Sequence, residues 1–112
     1  MFSIEYGLEV VTLKLGNIYG ARERWLDGPK KAPYNYQKII PTILMNSLRG
    51  EVFSVYGSCD QKSEYIYVDD VVESFIRALE SDKDLGGEVI HVGRGQNNSV
   101  NEIIDACWKC LG

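Results

Sequence analysis

The chain has 112 residues, 45% apolar and 25% charged, with twelve basic against sixteen acidic side chains and a net charge of −4. That is about one domain of ordinary globular composition, and the acidic balance excludes the clustered basic face of a nucleic-acid binder. No apolar run reaches membrane-spanning length, and MFSIEYGLEVV has neither a basic n-region nor an apolar h-region, so no membrane partner and no leader are expected.

Three cysteines cannot complete a disulfide framework. They agree with a reducing compartment, so a cytoplasmic protein is expected and the sequon at Asn97 reads as accidental.

In chain order, the β-branched run Val10 to Leu15 predicts a strand, closed by Gly16-Asn17 and later Gly20. Residues 21–37 carry two prolines, charge clusters and no apolar period, and read as a long loop. In KIIPTILMNSLRGE, Pro41 suits a first helical turn, Ile43, Leu44 and Leu48 make an apolar stripe, and Gly50 suits the helix end. VFSVYG predicts a short strand ending at Gly57, followed by a loop.

SEYIYVDDVVESF carries two adjacent aspartates between an alternating aromatic strand and a helix. Val71, Val72, Phe75, Ile76 and Leu79 fall on one helical face. Asp70 with Glu73 three residues later has capping-box spacing, and Asp69 suits the positive end of the helix dipole. A metal pair would need further ligands, and the sequence has no HxxxH, DxD or clustered histidine. The aspartates are therefore read as a helix start, with no metal site. Val89 to Val92 predict a strand and GRGQNN a turn. Ser99 should N-cap the last helix, with Glu102 completing a second capping box. Strands alternating with helices give an α/β layer with parallel pairing, without internal repeats.

Four patterns invite chemistry. VGRGQN follows a strand and precedes a helix as a dinucleotide fingerprint does, but Asn98 stands where a third glycine is needed, so a tight turn is preferred. Cys107 and Cys110 have CxxC spacing but lie near the end of a predicted helix, where the dipole raises thiol pKa; zinc would have only Cys59 and His91 as further ligands, so structural thiols are expected. Tyr34 and Lys38 stand at i, i+4, yet in a proline-bounded loop, and are read as an accidental match. His91, the only histidine, is expected to be half-buried in its strand rather than a catalytic base.

Taken together, VVTLKLGNIYG, IIPTILMNSLRGEVFSVYGS, SEYIYVDDVVESFIRALE and GGEVIHVGRGQNNSVNEI resemble the C-terminal half of extended short-chain dehydrogenase/reductases, the NAD-dependent nucleotide-sugar epimerases and dehydratases. The resemblance covers nearly the whole chain, with the motifs in family order. It implies a single α/β unit over residues 1–112, holding the last strands of a Rossmann-type parallel sheet and a small α/β substrate-binding subdomain. It places Leu15 and Gly16 near the nicotinamide and has Asn17 hydrogen-bond the sugar nucleotide. Lys38 and Ile39 would line the base and ribose pocket, Ser54 and Tyr56 would flank the base, and Ile90 would face the sugar.

Three departures accompany the resemblance. The sequence contains neither the GxxGxxG loop nor the catalytic YxxxK helix expected upstream of YGLEVV, so no catalytic residue is assigned and no NAD or NADP is expected to bind this chain alone. Where many members have an arginine before the aspartate of RDYIHV, this chain has Ser63 and Glu64. Lys62, one residue earlier, would give the diphosphate charge without a bidentate fork. The expected function is a fragment or truncated homologue of such an enzyme, contributing the wall that binds a nucleotide-diphosphate sugar. The alternative is a non-catalytic α/β module that binds a partner protein or self-associates. A homo-oligomer is expected because the apolar strands and the Phe75–Leu79 face would otherwise stay uncovered.

Overall fold

The computed structural model describes residues 6–23, 38–55 and 57–112. In chain order these form β1 (Thr12–Leu15), β2 (Asn17–Tyr19), α1 (Ile39–Arg49), β3 (Lys62–Tyr67), α2 (Val68–Glu80), β4 (Val89–Val92), β5 (Asn97–Ser99) and α3 (Val100–Leu111). The expected loop over 21–37 lies outside the described residues from 24 onward.

The class is α/β with parallel pairing. β1 runs parallel to β4, in the register Thr12↔Val89 to Leu15↔Val92. β2 runs parallel to β3, from Asn17↔Tyr65 to Tyr19↔Tyr67. Two compact units result, one of Met1–Gly20 with Glu64–Asn97 and one of Ala21–Ser63 with Asn98–Gly112. In the first, Tyr65, Ile66 and Val71 are buried; in the second, Ile43, Val100 and Cys107 are.

In the second unit, α1 has Pro41 in its first turn, where a missing N–H costs nothing. It ends at Gly50 in the left-handed region, φ 67°, which glycine adopts without a Cβ clash. The Gly50 N–H donates to the Ser47 carbonyl at 3.2 Å and the Glu51 N–H to that of Asn46 at 2.8 Å. Of the expected stripe, Ile43 is fully buried, whereas Leu48 is exposed.

Several expectations are corrected. Residues 52–55 form no strand: Val52 is exposed, and an extended segment without a paired neighbour makes no ladder. Asn97 and Asn98, expected within a turn, form β5 together with Ser99, and Asn17–Tyr19 are β2. His91 is exposed, because β4 alternates and turns Ile90 and Val92 inward instead.

Asp70 is not an N-cap. α2 begins two residues earlier, at Val68, since β3 runs straight into it and its last residue, Tyr67, supplies the extended conformation a cap needs (φ −70°, ψ 141°) without a side-chain hydrogen bond. A helix does start in this stretch, and Asp69 and Asp70 lie in its first turn, at the positive end of the dipole. On the same helix Arg77 Nε donates to Glu73 Oε1 at 2.8 Å, while Phe75 is 48% and Leu79 85% exposed.

The second capping box is present. The Glu102 N–H donates to Ser99 Oγ at 3.2 Å, and the Ser99 N–H to Glu102 Oε2 at 3.3 Å. Asn98 Nδ2 also donates to Glu102 Oε2, at 2.8 Å. That hydrogen bond, then that of the Ser99 amide, hold the Glu102 carboxyl below its ordinary range against desolvation, with a lesser contribution from the charge of Lys62.

Ser99→Ala should therefore cost about 1 kcal/mol in denaturant unfolding, as loss of a formed cap does. Asp70→Ala should cost about 0.5 kcal/mol, the scale of a first-turn dipole interaction. Equal costs would contradict the cap assignment.

The lowered Glu102 pKa also has a pH signature. A carboxyl that ionises more readily folded than unfolded contributes its full stability above the ordinary glutamate range and loses it as pH falls through the lowered folded value. The stability difference between wild type and Glu102→Gln should shrink steadily on acidification below the ordinary glutamate range. A difference independent of pH would show that the charge contributes nothing.

Candidate functional site

Within the first unit the sheet places a group of the expected residues at one end. β1 stops at Leu15, and β2 starts at Asn17 in a different parallel pair, so Gly16 alone carries the chain from one to the other. The Gly16 N–H donates to the Val92 carbonyl at 3.1 Å, extending the β1–β4 ladder by one bond. Leu15 is opposite Val92, and Ile90, two residues back on the same face of β4, is opposite Leu13. Leu15, Gly16 and Asn17 thus stand at the carboxyl end of β1, while Ile90, opposite Leu13, lies two residues before the end of β4. In open α/β sheets, ligands bind in the crevice outside those ends, at a switch between strand sets.

The turn after β4 lies at the same end and is filled from within. Glu64, on β3, accepts the Gly95 N–H at Oε1, 2.6 Å away. Gly93 lies so close to that carboxylate that a Cβ would collide with it. A Cβ on Gly16 would come 3.1 Å from the Glu64 carbonyl oxygen. Arg94 is exposed and donates from Nη2 to Gln96 Oε1 at 3.2 Å. This turn does not fit the pyrophosphate of a dinucleotide, because a phosphate needs free amide donors and would here meet a seated carboxylate. The dinucleotide-like pattern is a tight turn, as its missing third glycine predicts.

The remaining expected residues belong to the second unit. Lys38 precedes α1 in an extended conformation, ψ 154°, so it is not on a helical face as a Tyr-x-x-x-Lys lysine would be; Tyr34 lies outside the described residues. Lys38 Nζ pairs with Glu23 Oε1 at 2.9 Å. Its carbonyl accepts both the Thr42 N–H, at 3.2 Å, and Thr42 Oγ1, at 2.8 Å. Ile39, half-buried, is the first residue of α1, Ser54 is exposed, and Lys62 is exposed at the start of β3. Tyr56 lies outside the described residues.

Cys107 is buried and Cys110 exposed, both late in α3. Burial, then the neighbouring Cys110, push the Cys107 thiol up. That is the opposite of the activation a redox pair requires. Among the described residues, no three His, Cys, Asp or Glu side chains come together as a metal site, and no helix is long and apolar enough to cross a membrane.

Sequence reasoning missed two contacts: Glu64 in the glycine turn and Glu23 on Lys38. The first had a signal, since a Gly-x-Gly turn without the helix it should open needs another anion for its amides. The second joins residues separated by the long loop, and nothing local marks it.

The model of the NAD dependent epimerase/dehydratase family matches residues 2–93. The chain belongs to that family. It is 35% identical over 97 residues to the UDP-N-acetyl-alpha-D-glucosaminuronate decarboxylase of Bacillus cytotoxicus, a match that covers 87% of this chain and 27% of that protein. Among solved structures, the UDP-glucose 4-epimerase of Thermotoga maritima with UDP-glucose is 30% identical at a TM-score of 0.76, covering 96% of this chain and 31% of that one. The UDP-glucuronic acid 4-epimerase of Bacillus cereus, in complex with UDP-glucuronic acid and NAD, is 25% identical at 0.79, covering 99% and 32%. The chain therefore spans about a third of the length of these relatives.

The thiols give a direct check on the CxxC reading. Iodoacetamide at mildly alkaline pH should alkylate Cys110 well before Cys107, as followed by peptide mass spectrometry. Faster reaction at Cys107 would mean an activated thiol and revive a redox role.

Proposed function

We propose that this chain is the C-terminal, substrate-binding part of an NAD-dependent nucleotide-sugar epimerase/dehydratase and supplies the wall against which the sugar nucleotide binds. The observation that carries this is Gly16: a single residue joins the carboxyl end of a parallel strand to a second parallel pair, with Leu15 and Asn17 on either side of it and Ile90 on the paired strand β4. Leu15 and Gly16 present an apolar, low-profile edge suited to a flat nicotinamide ring. Asn17 offers both a donor and an acceptor to sugar hydroxyls. Ile90 gives an apolar contact on the sugar side.

In the second unit, Lys38, Ile39, Ser54 and Tyr56 are the residues for the base and ribose, with an apolar wall and a few placed polar groups. Lys62, exposed at the start of β3, supplies one positive charge toward the diphosphate. It does so as a point charge rather than a planar fork. NAD, when bound to the whole enzyme, supplies the hydride acceptor that oxidises the sugar and later returns the hydride. In this chain the residues beside it orient and exclude water; none takes the proton.

Titration of the isotope-labelled chain with UDP-glucose should shift the amide resonances of Asn17, Ile90 and Lys38 together, while calorimetry of the same chain with NAD should show no micromolar binding. Shifts confined to other residues would refute the sugar-nucleotide wall. Micromolar NAD affinity would show that the phosphate-loop argument is wrong.

A further inference from the structure

β1, which leads into Gly16, and β4, which carries Ile90, end where regular hydrogen bonding stops. On the β4 side, the ladder's last bond is from the Gly16 N–H to the Val92 carbonyl. Beyond it, residues 93–96 are exposed. Side-chain hydrogen bonds reach this stretch from Arg94 to Gln96 within the turn and from the Gly95 N–H to Glu64. The second comes from a different strand, 31 residues away in sequence.

Glu64 touches both sides of the strand ends at once. Its carboxylate sits against Gly93 and accepts from Gly95, past the end of β4. Its own carbonyl oxygen lies where a side chain on Gly16 would point, past the end of β1. Both approaches leave little room for a side chain: a Cβ on Gly93 would displace the Glu64 carboxylate, and one on Gly16 would come 3.1 Å from the Glu64 carbonyl oxygen. A hydrogen bond to a carboxylate is shorter and stronger than a neutral one, and this one fixes a turn that has no sheet of its own.

We infer that Glu64 is a positioning residue of the site: it locks the Gly93–Gly95 turn to the Gly16 crossover and so sets the spacing between the Asn17 and Ile90 sides of the sugar-nucleotide wall. The inference rests on the wall reading given above. It predicts more than a loss of stability, because a misplaced wall loses affinity in molecules that are still folded.

The test compares Glu64→Ala with Glu64→Gln in the 112-residue chain, at a temperature where circular dichroism shows both fully folded, with UDP-glucose as the probe. Glutamine keeps an oxygen for the Gly95 N–H; alanine does not. Glu64→Ala should weaken UDP-glucose binding about tenfold, as a small displacement of positioned groups does. It should also speed amide exchange at Gly95 and at Gly16 together, and Glu64→Gln should recover most of both effects. Wild-type affinity in Glu64→Ala, or faster exchange at Gly95 with Gly16 unchanged, would overturn the inference and leave Glu64 a local turn anchor. If the wild-type chain itself does not bind UDP-glucose, the wall reading fails, and Glu64 is then judged by exchange alone: joint loss at Gly16 and Gly95 supports the coupling, and loss at one refutes it. Should Glu64→Ala not fold, Glu64→Gln decides by the same two readouts: wild-type values support the inference, and a Gly95 change without one at Gly16 overturns it.

Discussion

A single glycine stands between β1 and β2, and the first unit is arranged around it. Its N–H continues the β1–β4 ladder, its Cα is overlaid by the backbone of β3, and the next residue already belongs to the other parallel pair. A Cβ here would come 3.1 Å from a backbone oxygen, tighter than an ordinary contact, and a backbone atom gives way less easily than a side-chain end. The carboxyl end of β1 is thereby a fixed edge.

The same end of the sheet shows how one pattern serves two purposes. A Gly-x-Gly turn following a parallel strand exposes amides to an anion, and in dinucleotide-binding folds the anion is a pyrophosphate on a helix N-terminus. Here the anion is Glu64, and three more residues in extended conformation, β5, intervene before α3 begins. The turn's electrostatic demand is met inside the protein. Its glycines are therefore architectural, and the binding reading rests on the neighbouring strand ends.

Much of the fold was legible in the sequence, for reasons visible in particular residues. Val89 to Val92 is an apolar β-branched run between turns, and β4 has those bounds. Ser99 and Glu102 stand three apart ahead of an amphipathic stretch, and both halves of the box form. Asp70 and Glu73 have the same spacing, yet the strand before them occupies the cap position and moves the helix start upstream; spacing alone does not register that a strand ends one residue earlier. β2 and β5, three residues each, are too short for alternation to show, and they exist because a neighbour pairs with them. VFSVYG has the right residues for a strand and no partner among the described residues. The candidate site residues were reached only through resemblance: Asn17, Lys38 and Ile90 carry no local mark of binding, and the acid that fills the turn after β4 is 31 residues away from it.

The pairing of β1 with β4 also has a consequence in time. Residues Thr12–Leu15 are made long before their neighbours at Val89–Val92. At the usual pace of synthesis, about 5–20 residues per second, β1 waits on the order of several seconds for its partner to emerge from the ribosome. Throughout that interval the β1 backbone lacks the ladder that β4 later completes.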